Sequence, residues 1–119
     1  MSNESLSSIN ILLDEFSAQA LENAAALSFR TLRKEASLRV IDHIQRHPER
    51  CELPLYTRKK EVRVDIDKSL KSKLCPLLYT GKYKTKTLVD ECSARLKDHL
   101  LRYPTISAVG VVQERKHAS

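Results

Sequence analysis

The segment Lys60-Glu61-Val62-Arg63-Val64-Asp65-Ile66 alternates charged and β-branched residues without a break. Successive side chains of a strand point to opposite faces, so Val62, Val64 and Ile66 share one face and Glu61, Arg63 and Asp65 the other. Such a strand has one dry side and one wet side, and the rest of the chain has to cover the dry one.

The sequence after it reads as two helices. Asp67 is placed to cap a helix from Lys68 to Leu78, with Leu70, Leu74 and Leu77 or Leu78 facing inward and Gly81 closing it. Pro76 should kink or shorten that helix. Thr85 or Thr87 can cap the next one, in which Leu88, Val89, Cys92, Leu96 and Leu100 recur at helical spacing until Pro104. Ile106 to Val112 is rich in β-branched residues and reads as a final strand, followed by a basic tail from Arg115 to Ser119.

The first 47 residues contain neither glycine nor proline. Leu6, Ile9, Leu13, Phe16 and Ala20 step by three and four, which predicts an amphipathic helix. Leu32, Ala36, Val40, Ile41 and Ile44 form a second set that ends at His47, because Pro48 cannot continue the ladder. The break between the two falls around Ser28 to Thr31, where Thr31 and Glu35 can start a new helix, and Ala24 to Ala26 would let the segments approach closely. Pro48 to Pro54 reads as a linker. The expected fold class is therefore α+β, mainly α: an N-terminal helical pair, then strand-helix-helix-strand, as one domain over 1–119. No internal repeat is read.

At 119 residues the chain is too short for a barrel or doubly wound enzyme scaffold. No stretch approaches the ~20 apolar residues that cross a bilayer, and the polar Met1–Asn10 start does not read as a secretory signal. Cys51, Cys75 and Cys92 are odd in number and widely spaced, so reduced thiols and an intracellular setting, cytoplasm or nucleoid/nucleus, are expected.

Charge divides the chain. Residues 1–52 hold 6 bases and 8 acids, whereas 53–119 hold 15 bases and 7 acids. Between Arg58 and Lys86 ten bases face only Glu61, Asp65 and Asp67. A block of this kind attracts polyanions, and nucleic acid is the commonest of them. The expectation is a basic half over 54–116 that carries the ligand and a helical half over 1–47 that dimerises or binds a partner.

The run Val62-Arg63-Val64-Asp65-Ile66, then Asp67-Lys68-Ser69-Leu70, then Gly81, then Thr85-Lys86-Thr87-Leu88-Val89, resembles the ribbon-helix-helix family of DNA-binding proteins over residues 60–102. The resemblance implies an obligate dimer in which two copies of the strand pair antiparallel, burying Val62, Val64 and Ile66. It implies that Glu61, Arg63 and Asp65 enter the major groove and that Lys84 to Thr87 anchor a phosphate. Glu61 and Asp65 would then set acids against a phosphate-rich ligand.

The expected nucleic-acid contacts are Arg58, Lys59, Lys60 and Arg63 at the ribbon and Lys82, Lys84, Thr85, Lys86 and Thr87 at the turn. DNA is favoured over RNA, and the function expected is that of a small dimeric DNA-binding regulator or mobile-element accessory factor. Two other readings compete: an RNA-binding viral or phage factor, and a helical adaptor that binds a protein through Leu6, Ile9, Leu13 and Phe16. Tyr79, Tyr83 and Tyr103 could stack on single-stranded bases, though tyrosines beside leucines more often rim a core. His43, His47 and Cys51 recur every four residues, but without a C-x-x-C pair they read as solvated groups at a helix end, not as a metal site. Cys92 and His99 lie about 10 Å apart along a helix, too far for proton transfer. No nucleophile motif or phosphate loop is present, so neither an enzyme nor a cofactor is expected.

Overall fold

The computed structural model describes residues 6–49, 51, 53, 58–79 and 87–104, with backbone only for Arg58, Lys59 and Tyr79. Its elements are β1 (Leu6–Asp14), α1 (Glu15–Ser28), α2 (Leu32–Arg46), β2 (Arg58–Asp67), α3 (Lys68–Leu74) with a 3₁₀ turn (Cys75–Tyr79), and α4 (Leu88–Arg102). The chain thus begins with a strand, which corrects the expected helical pair. Leu6 to Asp14 carries two periods at once, Ile9, Ile11 and Leu13 at spacing two and Leu6, Ile9, Leu13 and Phe16 at three to four. Pairing with β2 selects the first: Ile9, Ile11 and Leu13 are buried while Ser8 and Asn10 are exposed.

β1 and β2 form a two-stranded antiparallel sheet in which Ile9 lies opposite Val64, Ile11 opposite Val62 and Asn10 opposite Arg63. The partner strand that the resemblance assigned to a second molecule is supplied by the same chain. The outer edges of this ribbon are closed by the long helices. Leu12 N–H donates to Ser93 Oγ of α4 at 2.8 Å, and Asp65 N–H donates to Ser37 Oγ of α2 at 2.7 Å. Both edge strands are thereby kept from pairing with other chains at these positions.

The chain is a duplication, contrary to the reading that no repeat is present. Thr31-Leu32-x-x-Glu35-x-Ser37-x-Arg39-x-x-Asp42-His43-x-x-Arg46-x-Pro48 returns 56 residues later as Thr87-Leu88-x-x-Glu91-x-Ser93-x-Arg95-x-x-Asp98-His99-x-x-Arg102-x-Pro104. The strands repeat only in pattern, with Ile9, Ile11, Leu13 and Asp14 matched 53 residues on by Val62, Val64, Ile66 and Asp67. Two β-α-α units therefore face each other across a pseudo-two-fold axis that passes through the Asn10–Arg63 pair. Their inward side chains, with Leu21, Val40, Leu74 and Leu96, make a common core.

Local signals set the helix ends. Thr31 and Thr87 cap α2 and α4, each Oγ accepting from the N–H three residues on. Asp14 caps α1 through Ser17 N–H, whereas Asp67 makes no side-chain cap bond to α3. The expected helix to Leu78 stops at Leu74 and continues as the 3₁₀ turn Cys75–Tyr79, which contains Pro76, a residue with no N–H to donate to the α-helical ladder. Gly81 and the expected strand over Ile106 to Val112 lie outside the described residues.

Candidate nucleic-acid interface

The outward face of the ribbon is built from alternate residues of both strands. β1 presents Ser8, Asn10 and Leu12, and β2 presents Glu61, Arg63 and Asp65. Arg63 Nε approaches Asn10 Oδ1 at 3.4 Å, so the two central side chains lie side by side. Asp65 is engaged: Arg33 of α2 grips it with a two-pronged contact, Nε to Oδ2 and a terminal nitrogen to Oδ1, each 2.7 Å, and Ser8 Oγ donates to Oδ1 at 2.7 Å. The Arg33 guanidinium holds the Asp65 carboxyl below the usual carboxylate range, against the opposing effect of burial. One of the two acids on the ribbon is thus neutralised by a cation from the neighbouring helix, which removes much of the electrostatic objection to a polyanion at this face.

Behind the ribbon, α2 and α4 are joined by a polar spine repeated about the same axis. Arg39 bonds Glu35 at 2.8 Å, the carbonyl of Tyr103 at 2.6 Å and His99 Nδ1 at 3.2 Å. Its counterpart Arg95 bonds Glu91 at 2.9 Å, the carbonyl of His47 at 2.7 Å and His43 Nδ1 at 3.1 Å. An arginine can only donate, so each Nδ1 accepts and each ring proton sits on Nε2. From there His43 donates to Asp98 at 2.7 Å and His99 donates to Asp42 at 2.8 Å. Burial pushes both imidazoles down to about 4, overriding the nearby carboxylates. The histidines are neutral donors at physiological pH.

These facts revise several expectations. His43 is buried and fully bonded, not solvated at a helix end. His43, Cys51 and Asp98 do bring ligand-type atoms within 4.8 Å of one another. However, both ring nitrogens of His43 are in use, and the equivalent His99–Asp42 pair makes the same bonds without a cysteine, so this cluster is explained by the spine. Cys92 is core, and His99 turns to Asp42 instead of to it. Tyr103 is buried, its ring 4.8 Å from that of His99 and under the Arg46 guanidinium at 5.2 Å, and so cannot stack on a base. Tyr83 and the side chain of Tyr79 lie outside the described residues. The adaptor stripe does not exist as a helix face, since Leu6, Ile9 and Leu13 belong to β1 and two of them are buried. Of the large apolar residues exposed among the described ones, Leu6, Phe16, Leu27, Phe29 and Leu101, three (Phe16, Leu27 and Leu101) line a groove of about 350 Å³ between α1 and the end of α4.

Of the expected contact residues, Arg63 points outward at the centre of the ribbon. Lys60 shares the parity of Val62 and Val64 and pairs with Glu22 of α1 at 2.7 Å. Arg58 and Lys59 begin β2, and Thr87 caps α4. Lys82, Lys84, Thr85 and Lys86 lie outside the described residues. Sequence reasoning missed Asn10 and Arg33, which no local signal marks, and the whole spine, for which the 56-residue echo of E-x-S-x-R-x-x-D-H was a signal. Among the described residues, no helix is long and apolar enough to cross a membrane.

Comparison with known proteins finds one family. The TraY domain matches residues 9–55, which span most of β1, all of α1 and α2, and the Pro48–Pro54 segment. No curated protein and no solved structure matches the chain. The family match falls on the N-terminal half, outside residues 60–102 where the ribbon-helix-helix resemblance was read, and it supports only a weak likeness of the chain to such proteins.

Proposed function

We propose that this protein binds duplex DNA as a single-chain ribbon-helix-helix module, its two-stranded ribbon entering the major groove. The observation that carries this is the pairing of β1 with β2 in one chain, with two long helices repeated about the axis of the ribbon. A two-stranded ribbon has the width the major groove admits, and its outward side chains are the ones that reach base edges. The excess of bases over acids in residues 53–119 supplies the long-range attraction. In this reading Arg63 contacts bases, Arg58, Lys59 and Lys60 lie along the backbone, and Lys82, Lys84, Thr85, Lys86 and Thr87 meet a phosphate at the start of α4. Thr31 to Lys34, in the equivalent place on α2, would meet a second phosphate on the other side of the axis. The TraY-domain match favours a DNA-binding accessory factor of conjugative transfer over an enzyme.

The test is binding of the full chain to duplex DNA, duplex RNA and a single strand across a salt series, with light scattering on the same samples. The expected result is one chain per duplex DNA site, affinity that falls steeply with salt, and weaker binding to both other ligands. RNA preferred over DNA would move the function to the RNA-binding reading. No binding at low salt would end the nucleic-acid reading altogether.

A further inference from the structure

At the end of the spine the two units differ. His43, His47 and Cys51 of the first correspond to His99, Tyr103 and Ser107 of the second. The two spine histidines make the same bonds, but only the first unit carries ligand-type side chains at the other two positions. Helix α4 fixes their backbone in spite of Pro48: Arg95 donates to the carbonyls of His47 and Glu49 at 2.7 Å each, and Cys51 N–H donates to Glu91 Oε2 at 3.0 Å. His47, Glu49 and Cys51 thereby line one cavity of about 250 Å³ together with Asp98 and Arg102 of α4. The spine leaves donors over in this cavity. His43 and Arg102 both donate to Asp98 Oδ2, at 2.7 Å each, so that Oδ1 makes no hydrogen bond among the described residues. His47 Nε2 is buried without a partner, a cost that a ligand would remove.

We propose that this cavity binds one divalent metal ion of the zinc type, held by His47 Nε2, Cys51 Sγ and Asp98 Oδ1, with Glu49 or a water in the fourth place. A thiolate, an imidazole and a carboxylate form the mixed donor set that zinc takes, whereas calcium and magnesium want oxygen throughout. The ligand atoms of Cys51 and Asp98 lie within 4.8 Å of each other, and two donors of a tetrahedral ion stand about 3.5 Å apart, so a small closure completes the site. The thiol gives up its proton to solvent on binding, and thiolate and carboxylate then balance the charge of the ion beside Arg102. His43 stays outside the coordination sphere. Its Nε2 proton on Asp98 Oδ2 orients the carboxylate, as an outer partner does in metal sites. With Tyr103 and Ser107 in place of His47 and Cys51, the second unit lacks two of the three ligands, so one ion per chain is expected.

The experiment is titration of the reduced, chelator-treated full chain with Co²⁺ and then Zn²⁺, followed by absorption and by thermal unfolding, and repeated with Cys51→Ser, His47→Tyr and Cys75→Ser. The first two put into the first unit what the second already carries. The rings of His47 and Tyr103 stand at the same 4.8 Å from their spine histidines, so His47→Tyr keeps the packing, and circular dichroism of the metal-free variants checks that each folds. The expected result is one Co²⁺ per chain with a thiolate-to-cobalt charge-transfer band, displacement by Zn²⁺, and an unfolding midpoint that Zn²⁺ raises. Cys51→Ser should abolish the band and His47→Tyr should weaken binding at least about tenfold, while Cys75→Ser, at an exposed position on the other unit, leaves both unchanged. A band that survives Cys51→Ser, affinity indifferent to His47→Tyr, or no uptake at millimolar metal overturns the proposal. A midpoint that Zn²⁺ lowers also overturns it, because the ion then prefers the unfolded chain.

Discussion

Arg39 and Arg95 are the residues on which the two halves depend most directly. Each is wholly buried, bonded to a glutamate one turn away and to the far helix's histidine and carbonyls. Without Arg39, Glu35 would keep Arg30 and Ser28, but His99 Nδ1 and the carbonyls of Tyr103 and Pro104 would lose this donor. Arg39→Met should therefore lower stability by about 1–3 kcal/mol, read as a shift in the denaturant midpoint at unchanged slope. Phe29 gives a prediction of the opposite sign. It ends α1 in the left-handed conformation, φ 60°, with its side chain 90% exposed. Phe29→Gly relieves a backbone cost of roughly 1 kcal/mol and gives up little burial, so the melting temperature should hold or rise, and a clear fall would mean that the ring has a contact of its own.

The α2–α4 pair is an element whose stability is tied to pH. In the folded chain His43 and His99 titrate near 4, against about 6.5 when exposed in an unfolded one. The unfolded state therefore binds more protons between these values, and stability falls as pH drops through that window. Protonation would also set each imidazolium against the guanidinium on its Nδ1, although Asp98 and Asp42 would oppose part of that. Stability should be flat above pH 7 and decline from about pH 6.5 towards 4, and a His43→Gln, His99→Gln double variant should flatten the decline in denaturant titrations at each pH. The α2 boundaries, β2 and most of α4 were legible in sequence, because Thr31, Thr87, Pro48, Pro104 and the Val62–Ile66 alternation are local signals. β1 was not. Its periods of two and of three to four are both present within nine residues, and only the neighbouring strand chooses between them.

At the scale of the whole molecule, both strands of the ribbon come from one chain. The unfolding midpoint should thus be independent of protein concentration over about a hundredfold range, where an obligate dimer would gain stability by mass action. Within the candidate interface, Arg63 was recognised from the alternation of β2, since an outward position in a strand is a local property. Asn10 could not be, because it was assigned to a helix, and Arg33 could not be, because its role is to meet an aspartate 32 residues away. The tandem arrangement was also overlooked, because the two units share little in their strands and first helices. Their likeness is concentrated in the polar face of α2 and α4, which a search for apolar periodicity passes over.

The sequence by itself determined the strand at β2, the caps and stops of the long helices, the charge imbalance between the halves and the exclusion of a large catalytic scaffold. All of these follow from residues close together in the chain or from simple counts. Only the tertiary structure decided that Leu6–Asp14 is a strand, that it completes the ribbon from within, and that the histidines are neutral and buried. Each of those depends on energy gained between residues about 50 or 60 positions apart: the register of Ile9 with Val64, the bond of His43 to Asp98, the bond of Arg39 to Tyr103. Local preference leaves such alternatives nearly equal, and long-range burial and hydrogen bonding separate them.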